Sequence, residues 1–293
     1  MRVHVVSDVH GNSRDLARAG EGADALVCLG DLVLFLDYAD HGRGIFPDLF
    51  GAENAGRLVE LRTARRFAEA REFGARLWDR LLGEAGEAGE AGEAGEAPGG
   101  SEGAAGGARG TDGDAEERRR AARHRMIEEA VRKQYAELFA AFPQPTYATY
   151  GNVDVPRLWP EYARPGTTVL DGQRVEMGGR VFGFVGGGLR TPMRTPYEID
   201  DETYAEKVAA LGEVDVLCSH IPPEVPELCY DTVARRFERG SSALLDAIRS
   251  TRPRYALFGH VHQPLSRRMR VGATECVNVG HFAAHGTPWV LEW

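Results

Sequence analysis

The chain has 293 residues, 43% hydrophobic and 27% charged, with a formal net charge of −9. That is enough for one large α/β domain with an ordinary core, and no apolar run approaches the ~20 residues of a membrane span, so no membrane partner is expected. Residues 83–114 hold eight acidic side chains against one arginine, which leaves the remainder near neutral and gives no indication of nucleic acid as a partner.

Arg2-Val3-His4-Val5-Val6-Ser7 is a β-branched run that predicts a central strand, delivered into Asp8-Val9-His10-Gly11-Asn12. An opening strand in place of a basic segment and apolar leader leads us to expect a cytoplasmic protein. In an extended backbone residues i and i+2 share a face, so Asp8 and His10 converge on one ion. Asn12 or Ser13 caps a short helix, and 24–29 is a second buried strand ended by Gly30-Asp31. The spacing is that of a βαβ unit, with parallel strands ending at one edge. Amphipathic periodicity predicts helices over 54–82 and 115–142, an antiparallel hairpin within an insertion at 44–144. Between them, 83–114 carries twelve glycines and a Gly-Glu-Ala repeat and reads as a flexible tether.

From 146 the strands return. Residues 146–150 lead into Gly151-Asn152-Val153-Asp154, and 167–170, 173–177 and 180–185 are spaced as an antiparallel meander. Gly186-Gly187-Gly188 opens a proline-punctuated loop that holds Arg190 and Arg194. A helix over 201–211 precedes a strand at 214–218, ended by Ser219-His220. A helix over 241–250 precedes a strand at 255–258, ended by Gly259-His260-Val261-His262; 265–271, 274–279 and 288–293 are again strand-like. Cys28, Cys218, Cys229 and Cys276 have no Cys-x-x-Cys spacing and read as reduced packing residues.

Five predicted strands thus end in ligand-type side chains: Asp8 with His10, Asp31, Asn152, His220, and His260 with His262. Strand ends are where α/β folds gather their sites. In this order the motifs resemble the calcineurin-like metallophosphoesterase superfamily, over about 1–40 and 145–293. The resemblance implies a single α/β domain over 1–293, two packed mixed β-sheets flanked by helices, with the helical hairpin as an insertion. It implies that Asp8, His10, Asp31 and His262 hold one metal, and Asp31, Asn152, His220 and His260 the other. Two cations about 3.5–4 Å apart neutralise phosphoryl oxygens and make a bridging hydroxide available near neutral pH. Donors of this kind, without thiolate, suit two divalent transition-metal ions, Mn²⁺ foremost, then Fe, Ni, Co or Zn. The expected activity is hydrolysis of a small phosphoester substrate, with Asp31 and Asn152 among the catalytic residues.

Many members carry histidine after the asparagine to protonate the leaving oxygen. Here Val153 stands in that place and transfers no proton. The form resembles small bacterial and archaeal phosphodiesterases with Gly-Asn-x-Asp, which favours diesters and leaving groups of low pKa. His281 and His285 are the candidates for a substitute acid, weighed against surface or capping histidines. Asn12 is a candidate phosphate contact weighed against helix capping, and Arg190 and Arg194 are candidate substrate contacts weighed against solvent-exposed loop arginines. The insertion leaves the core on the site's edge, so it is either a cap over the site and a limit on substrate size, or a hairpin that is peripheral or forms a homo-oligomer. The alternatives to a phosphoesterase are a non-catalytic scaffold of the same fold and a nuclease of the same superfamily.

Overall fold

A computed structural model describes residues 1–93 and 112–293, which divide into two units, Met1–Phe35 with Arg132–Trp293, and Leu36–Val131. In the first unit β1 (Arg2–Val6) leads through α1 (Ser13–Leu16) to β2 (Ala25–Cys28), and the two strands pair in parallel from Val3 opposite Ala25 to Val6 opposite Cys28. The expected βαβ unit therefore forms. The second unit follows with α2 (Ile45–Phe50), α3 (Ala52–Thr63), α4 (Phe67–Glu93) and the beginning of α5 (Asp112–Ala141).

The chain then adds β3 (Thr146–Ala148), a 3₁₀ turn at Pro156–Glu161, β4 (Thr167–Val169), β5 (Gln173–Met177), β6 (Arg180–Val185), β7 (Gly188–Leu189) and β8 (Glu198–Ile199). Next come α6 (Asp201–Leu211), β9 (Val216–Ser219), α7 (Pro226–Cys229), β10 (Tyr230–Asp231), β11 (Arg236–Phe237) and α8 (Ser242–Thr251). The last elements are β12 (Tyr255–Phe258), β13 (Arg268–Val271), β14 (Thr274–Asn278), α9 (Phe282–His285) and β15 (Trp289–Glu292).

One sheet has the order β15-β1-β2-β3-β4 and the other β13-β14-β12-β9-β6-β5. Both are mixed: β1 to β4 run parallel with β15 antiparallel at the edge, and β6, β9, β12 and β14 run parallel between antiparallel edges. Alternation along each strand explains the layers. Val3, Val5, Val27 and Leu29 of the first sheet meet Phe182, Phe184, Val216, Cys218, Leu257 and Val277 of the second in one buried cluster. The alternate residues of the second sheet, Val185, Leu217, Ala256, Phe258 and Cys276, face Tyr204, Val208 and Leu211 of α6 and Leu244 and Ile248 of α8. Such a two-sided strand buries apolar surface on both faces, at roughly 25 cal/mol per Å². All four cysteines are free and buried, as expected.

Three expectations need correction. The segment 167–185 is not one meander: β4 joins the first sheet in parallel with β3, and only β5 and β6 pair antiparallel, in the second sheet. Gly172 (φ +67) lies in the turn between β4 and β5, and its N–H donates to the Phe184 carbonyl at 2.8 Å. The helix expected over 54–82 is two helices, because Arg65 is left-handed (φ 59) and Arg66 N–H closes back on the Leu61 carbonyl at 2.9 Å. Helix α4 continues to Glu93, into the expected tether; positions 94–111 of that tether lie outside the described residues. In the second unit Arg123 of α5 lies over the Trp78 ring of α4 at 5.2 Å. Among the described residues no helix is long and apolar enough to cross a membrane.

Candidate metal centre

The five strands β1, β2, β3, β9 and β12 end at one edge of the sandwich, and the residues just past β1, β2 and β12 turn back sharply. Asp8 (φ 56), His10 (φ 40), Asp31 (φ 55) and His260 (φ 66) are all left-handed without being glycine. Each such residue costs of order 1–3 kcal/mol, so the surroundings must hold it. They do so through backbone pairs: Asp8 N–H donates to the Gly30 carbonyl at 3.0 Å, His10 N–H to the Asp31 carbonyl at 2.9 Å, and Gly11 N–H to the Leu32 carbonyl at 2.8 Å. The glycines of the motifs permit close approach. A Cβ on Gly30 would stand 1.9 Å from the Gly151 nitrogen, and one on Gly259 2.0 Å from Ser7 Oγ and 2.4 Å from Asp8 Oδ2.

Three groups of ligand atoms converge, each within 4.8 Å: Asp8, His10 and Asp31; Asp31, His220 and His260; and His10, His262 and His281. His220 Nε2 lies 2.9 Å from Asn152 Oδ1 and 3.4 Å from Asp31 Oδ2. On the other side His10 Nε2 and His262 Nε2 face each other at 3.3 Å, and His262 Nε2 is 3.4 Å from Asp8 Oδ1. Asp8 Oδ1 is buried and has no hydrogen-bond partner. An orphaned carboxylate oxygen among inward-facing imidazole nitrogens costs free energy unless a cation satisfies it. The residues present therefore fit divalent metal.

The imidazoles are held so that their Nε2 atoms face inward. Nδ1 of His220 lies 2.9 Å from the Leu29 carbonyl and Nδ1 of His10 3.0 Å from the Val33 carbonyl. A carbonyl only accepts, so each Nδ1 carries a proton, and in the neutral ring each Nε2 offers a lone pair. Asn152 is oriented likewise: Thr195 Oγ1 donates to Glu198 at 2.8 Å and so accepts from Asn152 Nδ2 at 3.0 Å, which turns Oδ1 toward His220.

Burial pushes both central carboxyls up, yet the contact and charge of His262, with His220 and His10, hold Asp8 well below the usual carboxylate range; His220 and His10 lower Asp31 in the same way. Burial opposes charge on His220, but Asp31 outweighs it and raises the imidazole to about 9. In the metal-free protein a proton on His220 thus occupies the place between Asp31 and Asn152 that a cation would take. Burial and the neighbouring His262 push His281 down to about 3, so its ring is neutral at neutral pH and is a lone-pair donor in that state.

All seven predicted ligands, Asp8, His10, Asp31, Asn152, His220, His260 and His262, meet at this edge, and His281 joins them. Its ring stacks on His262 with centroids 3.8 Å apart and lies 5.6 Å from that of His10. His281 arrives because the turn it begins is tied to the first loop, with Phe282 N–H donating to the Ser7 carbonyl and Ala283 N–H to that of Asp8, both at 3.0 Å. Asn12 serves as the cap of α1: Oδ1 accepts from Asp15 N–H at 3.2 Å and Nδ2 donates to Asp15 Oδ2 at 2.8 Å. Arg190 and Arg194 are exposed, and Arg190 reaches Asp200 at 3.5 Å. His285 is exposed and lies 3.2 Å from Arg267.

Two further buried residues, absent from the predicted ligand set, organise the edge. Asp154 accepts from the N–H groups of Asp31 (2.8 Å), Leu32 (3.0 Å) and Gly151 (2.8 Å), and from the Tyr135 hydroxyl at 3.3 Å. Burial and the charge of Asp31 raise it to about 7. Asn278 donates to the carbonyls of Gly259 (3.1 Å) and Val261 (2.9 Å) and accepts from Gly280 N–H at 2.9 Å, joining the His260 loop to the His281 turn. It is the last residue of β14, a polar strand end like the ligand positions.

No protein-family model and no curated protein sequence matches this chain. Among solved structures, the crystal structure of TT1561 of Thermus thermophilus is similar to it with a TM-score of 0.47 and 12% identity, over 99% of this chain and 98% of that one.

Proposed function

We propose that this chain is a dinuclear metal-dependent phosphoesterase of the calcineurin-like metallophosphoesterase superfamily, acting on small diesters in preference to monoesters. The observation that carries it is Asp8 Oδ1, buried without a hydrogen bond 3.4 Å from His262 Nε2, in a cluster where the outer nitrogens of His10 and His220 already lie against carbonyls. Asp8, His10, Asp31 and His262 would hold one divalent cation and Asp31, Asn152, His220 and His260 the other, with Asp31 common to both sets. Bound there, two such ions, Mn²⁺ foremost, would supply positive charge for the phosphoryl oxygens and an acidified water near neutral pH.

The chain's own residues orient and exclude. Leu29 and Val33 hold the imidazoles by their outer nitrogens, Thr195 and Glu198 fix the Asn152 amide, and Val153 gives the leaving oxygen no proton. Leaving groups that depart as stable anions are therefore served best. His281 stands close enough to hold a proton for poorer ones once an anionic substrate raises its basicity. Buried free cysteines agree with a reducing compartment, and we place the protein in the cytoplasm.

Hydrolysis of bis-p-nitrophenyl phosphate beside p-nitrophenyl phosphate, by chelator-stripped protein reloaded with Mn²⁺, tests the reading. The diester should turn over faster, only with metal, and not in His262→Ala. Metal binding without turnover of either ester overturns the enzymatic reading, and absence of metal binding points instead to a scaffold.

A further inference from the structure

Beside the metal centre lies an open cleft of about 230 Å³ lined by Arg267, His281, His285, Thr287 and Trp289 together with the turn 279–280. None of its lining residues is acidic. Its inner wall is His281, the ring that stacks on His262, so the cleft and the ligand cluster are separated by one imidazole pair. Its outer wall carries Arg267, which begins the approach to β13 and is fixed by Asn278 N–H donating to its carbonyl at 2.9 Å.

The next arginine in the chain, Arg268, is paired with Glu275. Arg267, in contrast, has no carboxylate partner among the described residues; one of its terminal nitrogens donates to His285 Nε2 at 3.2 Å. That contact makes His285 Nε2 the acceptor and leaves its Nδ1 as a donor. Asp15, whose carboxylate lies by Gly286 at the end of the same turn, is held by the Asn12 side chain. A guanidinium without a carboxylate, an imidazole, and the Trp289 ring together form a receptor for an acid group, since charge-assisted hydrogen bonds from arginine are the strong ones.

We infer that this cleft binds a second anionic group of the substrate, a phosphate or carboxylate carried beside the scissile phosphoryl group. The inference rests on the phosphoesterase reading for the identity of the first group, and it names the substrate class: a diester whose alcohol bears a further acid. Arg267 is the specificity-determining residue, and His285 supports it.

Calorimetric titration of the Mn²⁺-loaded full chain with thymidine 3′,5′-bisphosphate and with thymidine 5′-monophosphate tests the inference, in wild type, Arg267→Gln and Arg267→Lys. Wild type should bind the bisphosphate at least about tenfold more tightly than the monophosphate, the worth of one charge-assisted contact. Arg267→Gln should lose that gain and Arg267→Lys should keep part of it, with metal stoichiometry measured alongside to report an assembled site. Equal affinity for the two nucleotides in wild type, or a gain that survives in Arg267→Gln, overturns the inference. Because binding is read and not turnover, hydrolysis of bis-p-nitrophenyl phosphate without any gain from the second phosphate would sink the cleft and spare the phosphoesterase. A gain without hydrolysis would do the reverse.

Discussion

The two halves of the centre are built to different standards of burial. The His220 side chain is 0% exposed and that of Asp31 5%, whereas His262 is 38% exposed. On the buried side three of the four groups have a fixed partner from the surrounding fold, Leu29 for His220, Thr195 for Asn152 and Val153 N–H for Asp31, and the His260 ring packs edge-on against His220. On the open side Asp8 is buried and Val33 holds His10 Nδ1 at 3.0 Å, but the rings of His262 and His281 lean chiefly on each other and on His10. The buried half is thus part of the core and the open half faces whatever enters. Changes in the first should cost folding; changes in the second should cost ligand.

The largest effect is expected at Asp154. Its replacement by alanine strands the N–H groups of Asp31, Leu32 and Gly151 in a buried place, and at about 1–3 kcal/mol for each unsatisfied group the metal-free protein should lose at least about 3 kcal/mol. Denaturant midpoints measure it, and an unchanged midpoint would remove the distinction between the halves. Gly259→Ala comes next, because its Cβ would collide with Ser7 and Asp8; overpacking of this kind costs about 1–3 kcal/mol. His262→Ala should cost less than about 1 kcal/mol of metal-free stability, as partly exposed sites do. Metal affinity in that variant should nevertheless fall steeply.

A pH series sharpens the comparison with a smaller signal. His220 is raised from its unfolded value of 6.5 to about 9, so the stability it contributes is complete below about pH 6.5 and is lost as pH rises to about 9. His262, also raised, acts with the same sign. Chelator-stripped protein should therefore melt at lower denaturant at pH 9 than at pH 6.5, and saturating Mn²⁺, which takes the Nε2 lone pairs, should flatten the dependence. A flat profile in the stripped protein would mean that no proton occupies the place between Asp31 and Asn152.

The strand ends were legible because β-branched runs stopped by glycine or another turn-forming residue are a local signal, and five of them carried ligand-type side chains. Which sheet a strand joins is not local: β4 and β5 read alike, and only the tertiary pairing separates them. The break at Arg65 has neither glycine nor proline to announce it, and the left-handed turns at Asp8, His10, Asp31 and His260 use residues that seldom adopt that conformation. Asn278 ends β14 as a polar residue, but a residue that only clamps two loops resembles any polar terminus until its partners are seen. Arg190 and Arg194 lie in the loop expected from the glycine triplet, while the cation beside the centre is Arg267, brought there by the pairing of β13 with β14.

The central claim is that two ligand sets sharing Asp31 hold two ions. Equilibrium dialysis of the chelator-stripped chain against Mn²⁺, followed by elemental analysis, tests it most directly. Wild type should hold two ions tightly per chain and His262→Ala one; a wild-type chain that retains one ion or none would rule out two ligand sets sharing Asp31.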